Sequence, residues 1–366
     1  MKYFSFAASI LFILALQIGL TSCNSPSSTT TLPGAWDKVG DFEGIPRGNA
    51  VGFMIGNFAY VGTGFNYEGN KRLRDFWKYD PEGDSWFQVA DFPGTPRSSA
   101  VAFSLNGKGY VGTGLNLAGQ PLRDFWVFDP TVGAKGQWTQ IADFSYTGLS
   151  YGSDSARYGC IAFTVGSRSF VGGGHSLSSL KDLWEYLPAP ANVWVQRPSI
   201  GGSKRENAFV MVIDDKAYVG GGIDNGRYVT DFYKFDIANL AADGTGSPWS
   251  RLNGLTGKDA NGNGVVQPKP RDLASTFTIN GIGYLACGSI GPGETWQYTP
   301  SNDTWVAQYS FTTNAPVSGS GRNGAIGFGL SVSGKSYGYV VTGSAGNLKF
   351  DDCWQFNPAG IEPDNK

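Results

Sequence analysis

Histidine is almost missing from this chain: His175 is the single one among 366 residues. That count excludes any metal centre built on two imidazoles, the H-E-x-x-H zinc motif included. Cysteine is scarce too. Cys23, Cys160, Cys287 and Cys353 occur without a C-x-x-C spacing, so neither a thiolate zinc site nor a dithiol redox site is encoded. Cys160, Cys287 and Cys353 are odd in number, and each reads as a small buried hydrophobe in a strand. Charged residues make up only 16%, and a net charge of −2 lacks the basic excess that nucleic-acid binding requires. No Gly-rich phosphate loop, G-x-S-x-G elbow or Cys/His pair is present. Nothing in the sequence calls for a metal or a cofactor.

Glycine and aromatics fill the space instead, with 53 Gly, 24 Phe, 17 Tyr and 11 Trp. Such a composition suits many short strands joined by turns and argues against a helical bundle. The first residues stand apart. Lys2 precedes an apolar run over 4–20, and Leu20-Thr21-Ser22-Cys23 resembles the lipobox of bacterial lipoproteins. That resemblance implies a signal peptide over 1–22, a lipid on Cys23, and attachment to the membrane in a bacterial cell envelope. The alternatives are an ordinary secretory signal or a membrane helix, for which the run is short. Residues 23–35, rich in Ser, Thr and Pro, read as a flexible linker.

Three landmarks then recur in fixed order across 36–366. A Trp opens a strand at 36, 86, 138, 194, 249 and 305. An Arg precedes an apolar strand at 47, 97, 157, 205, 271 and 322. An acid stands two before an aromatic in Asp75/Trp77, Asp124/Trp126, Asp182/Trp184, Asp231/Tyr233, Glu294/Trp296 and Asp352/Trp354. Between the last two lies a Gly-rich stretch: YVGTG at 60–64 and 110–114, FVGGG at 170–174, YVGGG at 218–222, YLACG at 284–288 and YVVTG at 339–343. Repeats of about 50 residues with this pattern resemble kelch repeats, including those of the galactose oxidase propeller domain. The resemblance implies a six-bladed all-β propeller of four-stranded blades. The last repeat lacks its fourth strand, and WDKVGDF at 36–42 is expected to supply it, closing the ring. Galactose oxidase chemistry itself is excluded by the single histidine.

Strand alternation sorts the loops by face. The loops that follow the outer strands, and those between second and third strands, share the face on which the arginines lie. Of these, 145–156, 253–270 and 310–321 are lengthened in Gly, Ser, Thr, Asn and Tyr, residues suited to an adaptable rim. Arg47, Arg97, Arg157, Arg205, Arg271 and Arg322 are expected to ring the channel mouth. Guanidinium groups there would grip carboxylate or phosphate oxygens, making an anionic glycan, metabolite or protein the candidate ligand. The opposing expectation is that each Arg pairs with a nearby acid such as Glu206 or Asp272. His175 and Glu206 complete the candidate binding residues. Asp259-Ala-Asn261-Gly-Asn263-Gly264 starts like an EF-hand loop but has Pro270 where a bidentate Glu is needed, so a turn is expected. The leading expectation is a non-catalytic binding propeller. The alternatives are a structural adaptor, or a mutarotase similar to the six-bladed periplasmic sialic-acid mutarotases. In that last case Arg would hold the sugar carboxylate, and Glu206 or His175 would move protons.

Overall fold

The inner strands read as alternating apolar and small residues because one side packs between blades and the other faces a narrow axis. A computed structural model describes residues 33–144, 156–258, 262–311 and 321–360. The signal segment, Cys23, most of the linker, and residues 145–155, 259–261 and 312–320 lie outside the described residues. Six four-stranded antiparallel sheets form the molecule. Their inner strands are Val51–Ile55, Val101–Leu105, Ile161–Val165, Phe209–Ile213, Ser275–Ile279 and Ile326–Val332. They touch in cyclic order, the first against the last, so the sheets are blades around one axis. Blade one continues outward through Phe58–Gly62, Phe76–Asp80 and Ser85–Gln88. Inner hairpins turn at Asn106-Gly107, Asp214-Asp215, Asn280-Gly281 and Ser333-Gly334, with positive φ at both residues, the geometry that matches strand twist.

Blade six closes as the missing fourth strand requires. Ala35–Val39 is its outermost strand, pairing antiparallel with Cys353–Asn357 from Ala35 opposite Asn357 to Val39 opposite Cys353. The landmark tryptophans fill the wedges between blades. Trp138 of blade two packs on Phe76 of blade one at 5.0 Å, and Trp194 of blade three on Phe125 of blade two at 4.7 Å. Trp36 fills the wedge across the closure, its ring 6.0 Å from Phe277 of the inner strand of blade five and its indole on Thr295, which opens that blade's third strand.

Two rings of backbone hydrogen bonds knit the blades on the arginine face, and neither was legible in the sequence. The second residue after each Arg donates its N–H to its counterpart in the preceding blade: Asn49 to Gly324, Ser99 to Asn49, Gly159 to Ser99, Asn207 to Gly159, Leu273 to Asn207 and Gly324 to Leu273, at 2.7–3.0 Å. The cycle is complete, and all six residues hold φ between +53° and +62°. In the second ring, Gly64, Gly114, Gly174, Gly222, Gly288 and Gly343 donate to the carbonyl of the next blade's Arg at 2.8–2.9 Å. Their φ of +83° to +109° explains why glycine stands there in every copy, however degraded the rest of the stretch.

The residue before that glycine is left-handed as well, although it is Thr63, Thr113 and Thr342 in three blades, with φ of 58° to 62°. A β-branched residue is strained there, and all three hydroxyls are buried without a hydrogen-bond partner among the described residues. Thr63→Gly, Thr113→Gly and Thr342→Gly are each expected to raise stability by about 1 kcal/mol. Urea denaturation of the single and triple variants checks this; an unchanged or lowered midpoint refutes it.

Candidate functional site on the arginine face

The six arginines meet the acidic landmarks. Arg47 forks onto Asp75 at 2.8 and 2.6 Å, while its Nη1 donates to the Thr63 carbonyl at 3.0 Å and its Nε to Ile45 at 2.8 Å. The Trp77 indole donates to the same Asp75 carboxylate at 2.8 Å, which explains the acid-x-Trp spacing. Equivalent pairs are Arg97–Asp124, Arg157–Asp182, Arg205–Asp231, Arg271–Glu294 and Arg322–Asp352. Arg47, Arg97, Arg157 and Arg322 also lie over Phe42, Phe92, Phe144 and Phe311, each within 4.9 Å of the ring centroid. No arginine of the six is more than 4% exposed. The expectation of six ligand-facing cations is therefore corrected. The guanidinium groups face inward and carry acid and carbonyl partners in all six blades and aromatic ones in four, so they clamp each blade rather than meet solvent.

These clamps make stability depend on pH. Burial pushes the Asp75 carboxyl up, but the hydrogen bond and charge of Arg47, with the Trp77 indole, outweigh it and hold the group below the usual range. Asp124 and Glu294 are lowered in the same way by Arg97 and Arg271, again against the pull of burial. A carboxyl lowered on folding stabilises the native state fully above its unfolded value, 3.8 for Asp and 4.5 for Glu, and progressively less as pH falls toward its folded value. The urea midpoint is expected to hold from pH 7 to about 5 and to drop below about 4.5. Asp124→Asn should flatten part of that drop, and a parent midpoint insensitive to acid would contradict the clamp.

With the arginines inside, the face is formed by the residues that follow them and by the loops between second and third strands. Directly after the arginines come Gly48, Ser98, Tyr158, Glu206, Asp272 and Asn323. Five of them bridge across to a loop residue, Tyr158 to His175 and Glu206 to Ile223 among them, and Asp272 is hydrogen-bonded to Ser289 in the same place. Blades three to five thus bring chemistry together. His175 Nδ1 lies 3.4 Å from Glu206 Oε1 without forming a hydrogen bond, and its ring sits 5.3 Å from that of Tyr158. Asp272, 6% exposed, accepts from the Ser289 hydroxyl, and Tyr228 donates to Ser289 at 3.3 Å. Burial raises the Glu206 carboxyl; His175 opposes the shift and the Asp272 charge adds to it. The ring brings His175 and Glu206 together. Tyr158, Asp272, Ser289 and Tyr228 are partners that only the ring arrangement supplies.

Inside this rim the axial mouth opens into a cavity of about 200 Å³ lined by Asn49, Ser99, Cys160, Asn207 and Leu273, above a collar of Ala50, Ala100, Ala208, Ala274 and Ala325. The sequence signal for this collar was the small residue three places after every Arg. Burial raises the Cys160 thiol to about 12, so it stands in the wall as an inert thiol. Above the rim, five loops each expose one large apolar side chain: Tyr67, Leu117, Leu177, Tyr228 and Leu348, with Leu177 at 96%. A larger open depression of about 500 Å³ lies at the outer edge between blades four and five, where Asp303 is already bonded by Asn253 and Tyr298. It holds none of the clustered groups.

No family model and no curated protein sequence matches the chain. Among solved structures, the one described as the structure of YjhT is similar, with 15% identity and a TM-score of 0.63 over 86% of this chain and 95% of that one. At that identity the likeness shows the propeller fold, and a fold shared so widely carries no activity by itself.

Proposed function

We propose that the protein is a non-catalytic, kelch-type binding propeller of the bacterial cell envelope that takes a glycan, a metabolite or a protein segment on the arginine face. The observation that carries this reading is the convergence of Tyr158, His175, Glu206, Asp272 and Ser289 from three consecutive blades beside the axial cavity. Concave sites with a few converging polar groups on a rigid scaffold are where ligands bind. The apolar side chains that crown the loops add contact area around it. The six arginines serve the scaffold and take no part in the contact.

Lipidation of Cys23 belongs to the same reading. The chain enters blade six at Ala35, opposite Asn357, at the end of the strand remote from the arginine face. Cys23→Ala is expected to move the protein from the detergent phase to the aqueous phase on Triton partitioning; unchanged partitioning would sink the anchor.

A screen of sugars and metabolites on the intact protein tests the face. Tyr158→Ala, His175→Ala and Glu206→Gln should each weaken the ligand found by about tenfold, the scale of one lost polar contact. Val132→Ala and Val193→Ala, on the opposite face, should leave it unchanged. Binding indifferent to all three rim changes would refute the reading. A second reading, anomer exchange of an acidic sugar, draws on the 3.4 Å approach of His175 to Glu206. It requires a carboxylate clamp other than the buried arginines, and accelerated exchange abolished by Glu206→Gln would favour it.

A further inference from the structure

Charge on the arginine face is distributed in an unusual way. In the clamps below it, each of the six arginines has its acid. At the rim, Glu68, Lys71 and Arg227 are exposed and Asp224 is bonded by Asn225, while Glu206, Asp272, Arg72 and Lys349 are buried or partly buried without an ionic partner of fixed charge among the described residues. Glu206 meets the His175 imidazole and the Tyr158 hydroxyl, and the Asp272 carboxylate accepts from the Ser289 hydroxyl, whose oxygen in turn accepts the Asp272 backbone N–H; neither acid has a lysine or arginine within ion-pair distance among the described residues. Both belong to blades four and five. On the other side of the axis, Arg72 of blade one bonds only the Ser98 hydroxyl, at 2.9 Å, and lies over the Phe65 ring. Lys349 of blade six bonds the Gly346 carbonyl at 3.0 Å and sits 3.9 Å from the Tyr67 centroid. Neither has a carboxylate partner among the described residues. Burial alone lowers Lys349 to about 8, with no anion to restore it.

Blades one and four lie three steps apart in the ring of six, so Arg72 and Glu206 stand on opposite sides of the mouth. Between them the cavity is apolar at its collar of alanines and at Leu273. One polar atom on the way is unmatched: Asn49 Oδ1 is buried, lines this cavity, and has no hydrogen-bond partner among the described residues. Partly buried charges without partners cost stability unless a ligand supplies the counter-charge. Two anions on one side, two cations on the other, and between them a span of alanines interspersed with Asn49, Ser99 and Asn207 define a dipolar receptor.

We propose that the mouth binds a zwitterion, its ammonium group between Glu206 and Asp272, its carboxylate toward Arg72 and Lys349, and a short aliphatic spacer over the alanine collar. This rests on the reading of the arginine face as the binding face and names its ligand class. An ammonium suits Tyr158 and Tyr228, whose rings flank the acidic side, as it suits the paired carboxylates. The anionic end finds the positive charge that the clamped arginines do not provide.

Calorimetric titration of the intact protein with β-alanine, γ-aminobutyrate and ε-aminocaproate, beside n-hexylamine and n-hexanoate, tests this. At least one of the three zwitterions is expected to bind about tenfold or more tightly than either single-ended compound. Glu206→Gln with Asp272→Asn should erase that preference, and so should Arg72→Gln with Lys349→Gln, while circular dichroism and melting show the fold retained. Hexylamine binding as tightly as ε-aminocaproate, with sensitivity to Glu206→Gln, would overturn the dipolar ligand and leave the face as the binding face. Zwitterion binding indifferent to both double variants, or no zwitterion binding at all, would overturn the proposal outright. Ligands from the wider screen that ignore Tyr158, His175 and Glu206 would overturn the face as well.

Discussion

Excision of residues 33–39 is expected to abolish cooperative unfolding and leave an aggregating chain. Those residues supply the outer strand of blade six, and Trp36 goes with them. Its ring is 3% exposed, 5.0 Å from Phe311 and 5.0 Å from Phe356, and its indole donates to Thr295 of blade five at 3.1 Å. Without the strand, Cys353–Asn357 becomes an unpaired edge and the wedge between blades five and six loses its filling. Trp36→Ala alone should lower stability by about 3–5 kcal/mol, the usual cost of truncating a buried aromatic. Circular dichroism melts of both variants decide it. A deletion variant that melts cooperatively at the parent temperature would mean that the ring closes by other contacts.

Arg322→Ala should cost about 3–5 kcal/mol, because one half of a buried ion pair is left behind. This clamp is the most enclosed of the six. Arg322 is 0% exposed and Asp352 is 4% exposed, with contacts of 2.5 and 2.9 Å between guanidinium and carboxylate. The guanidinium also donates to the Thr342 carbonyl at 2.8 Å and lies 3.9 Å from the Phe350 centroid. Arg322→Lys should recover only part of the loss, since an ammonium cannot make the two parallel bonds. The double variant Arg322→Met with Asp352→Leu should lose less than Arg322→Ala, as it leaves no buried charge unpaired. Urea denaturation measures all three. A loss under about 1 kcal/mol for Arg322→Ala would show that the clamp contributes little.

Most of the architecture was legible because repetition multiplies a weak signal. One Trp, one Arg or one acid says little, while six of each in the same order leave few folds. The role of the arginines was not legible in the same way. Arg47 and Asp75 lie 28 residues apart, and both recurred in every copy with opposite charge. Their shared recurrence was the available sign that they belong together, yet either could have faced a ligand. The lengthened loops at 145–156 and 310–321 fall largely outside the described residues, and 253–270 loses only 259–261, so the rim stands mainly on the shorter loops.

The sequence by itself determined the number of blades, the order of strands, the closure of the last blade by the first strand, and the want of any imidazole pair for metal. These follow from local period and composition, which the chain carries in one dimension. Only the tertiary structure decided which charges are spent inside and which remain at the surface. Bending six copies into a circle sets Tyr158, Glu206 and Asp272 side by side, although 48 and 66 positions of chain separate them. That same curvature turns every landmark arginine onto its acid. Burial and adjacency are properties of the ring, so the rim chemistry becomes visible only once the ring is closed.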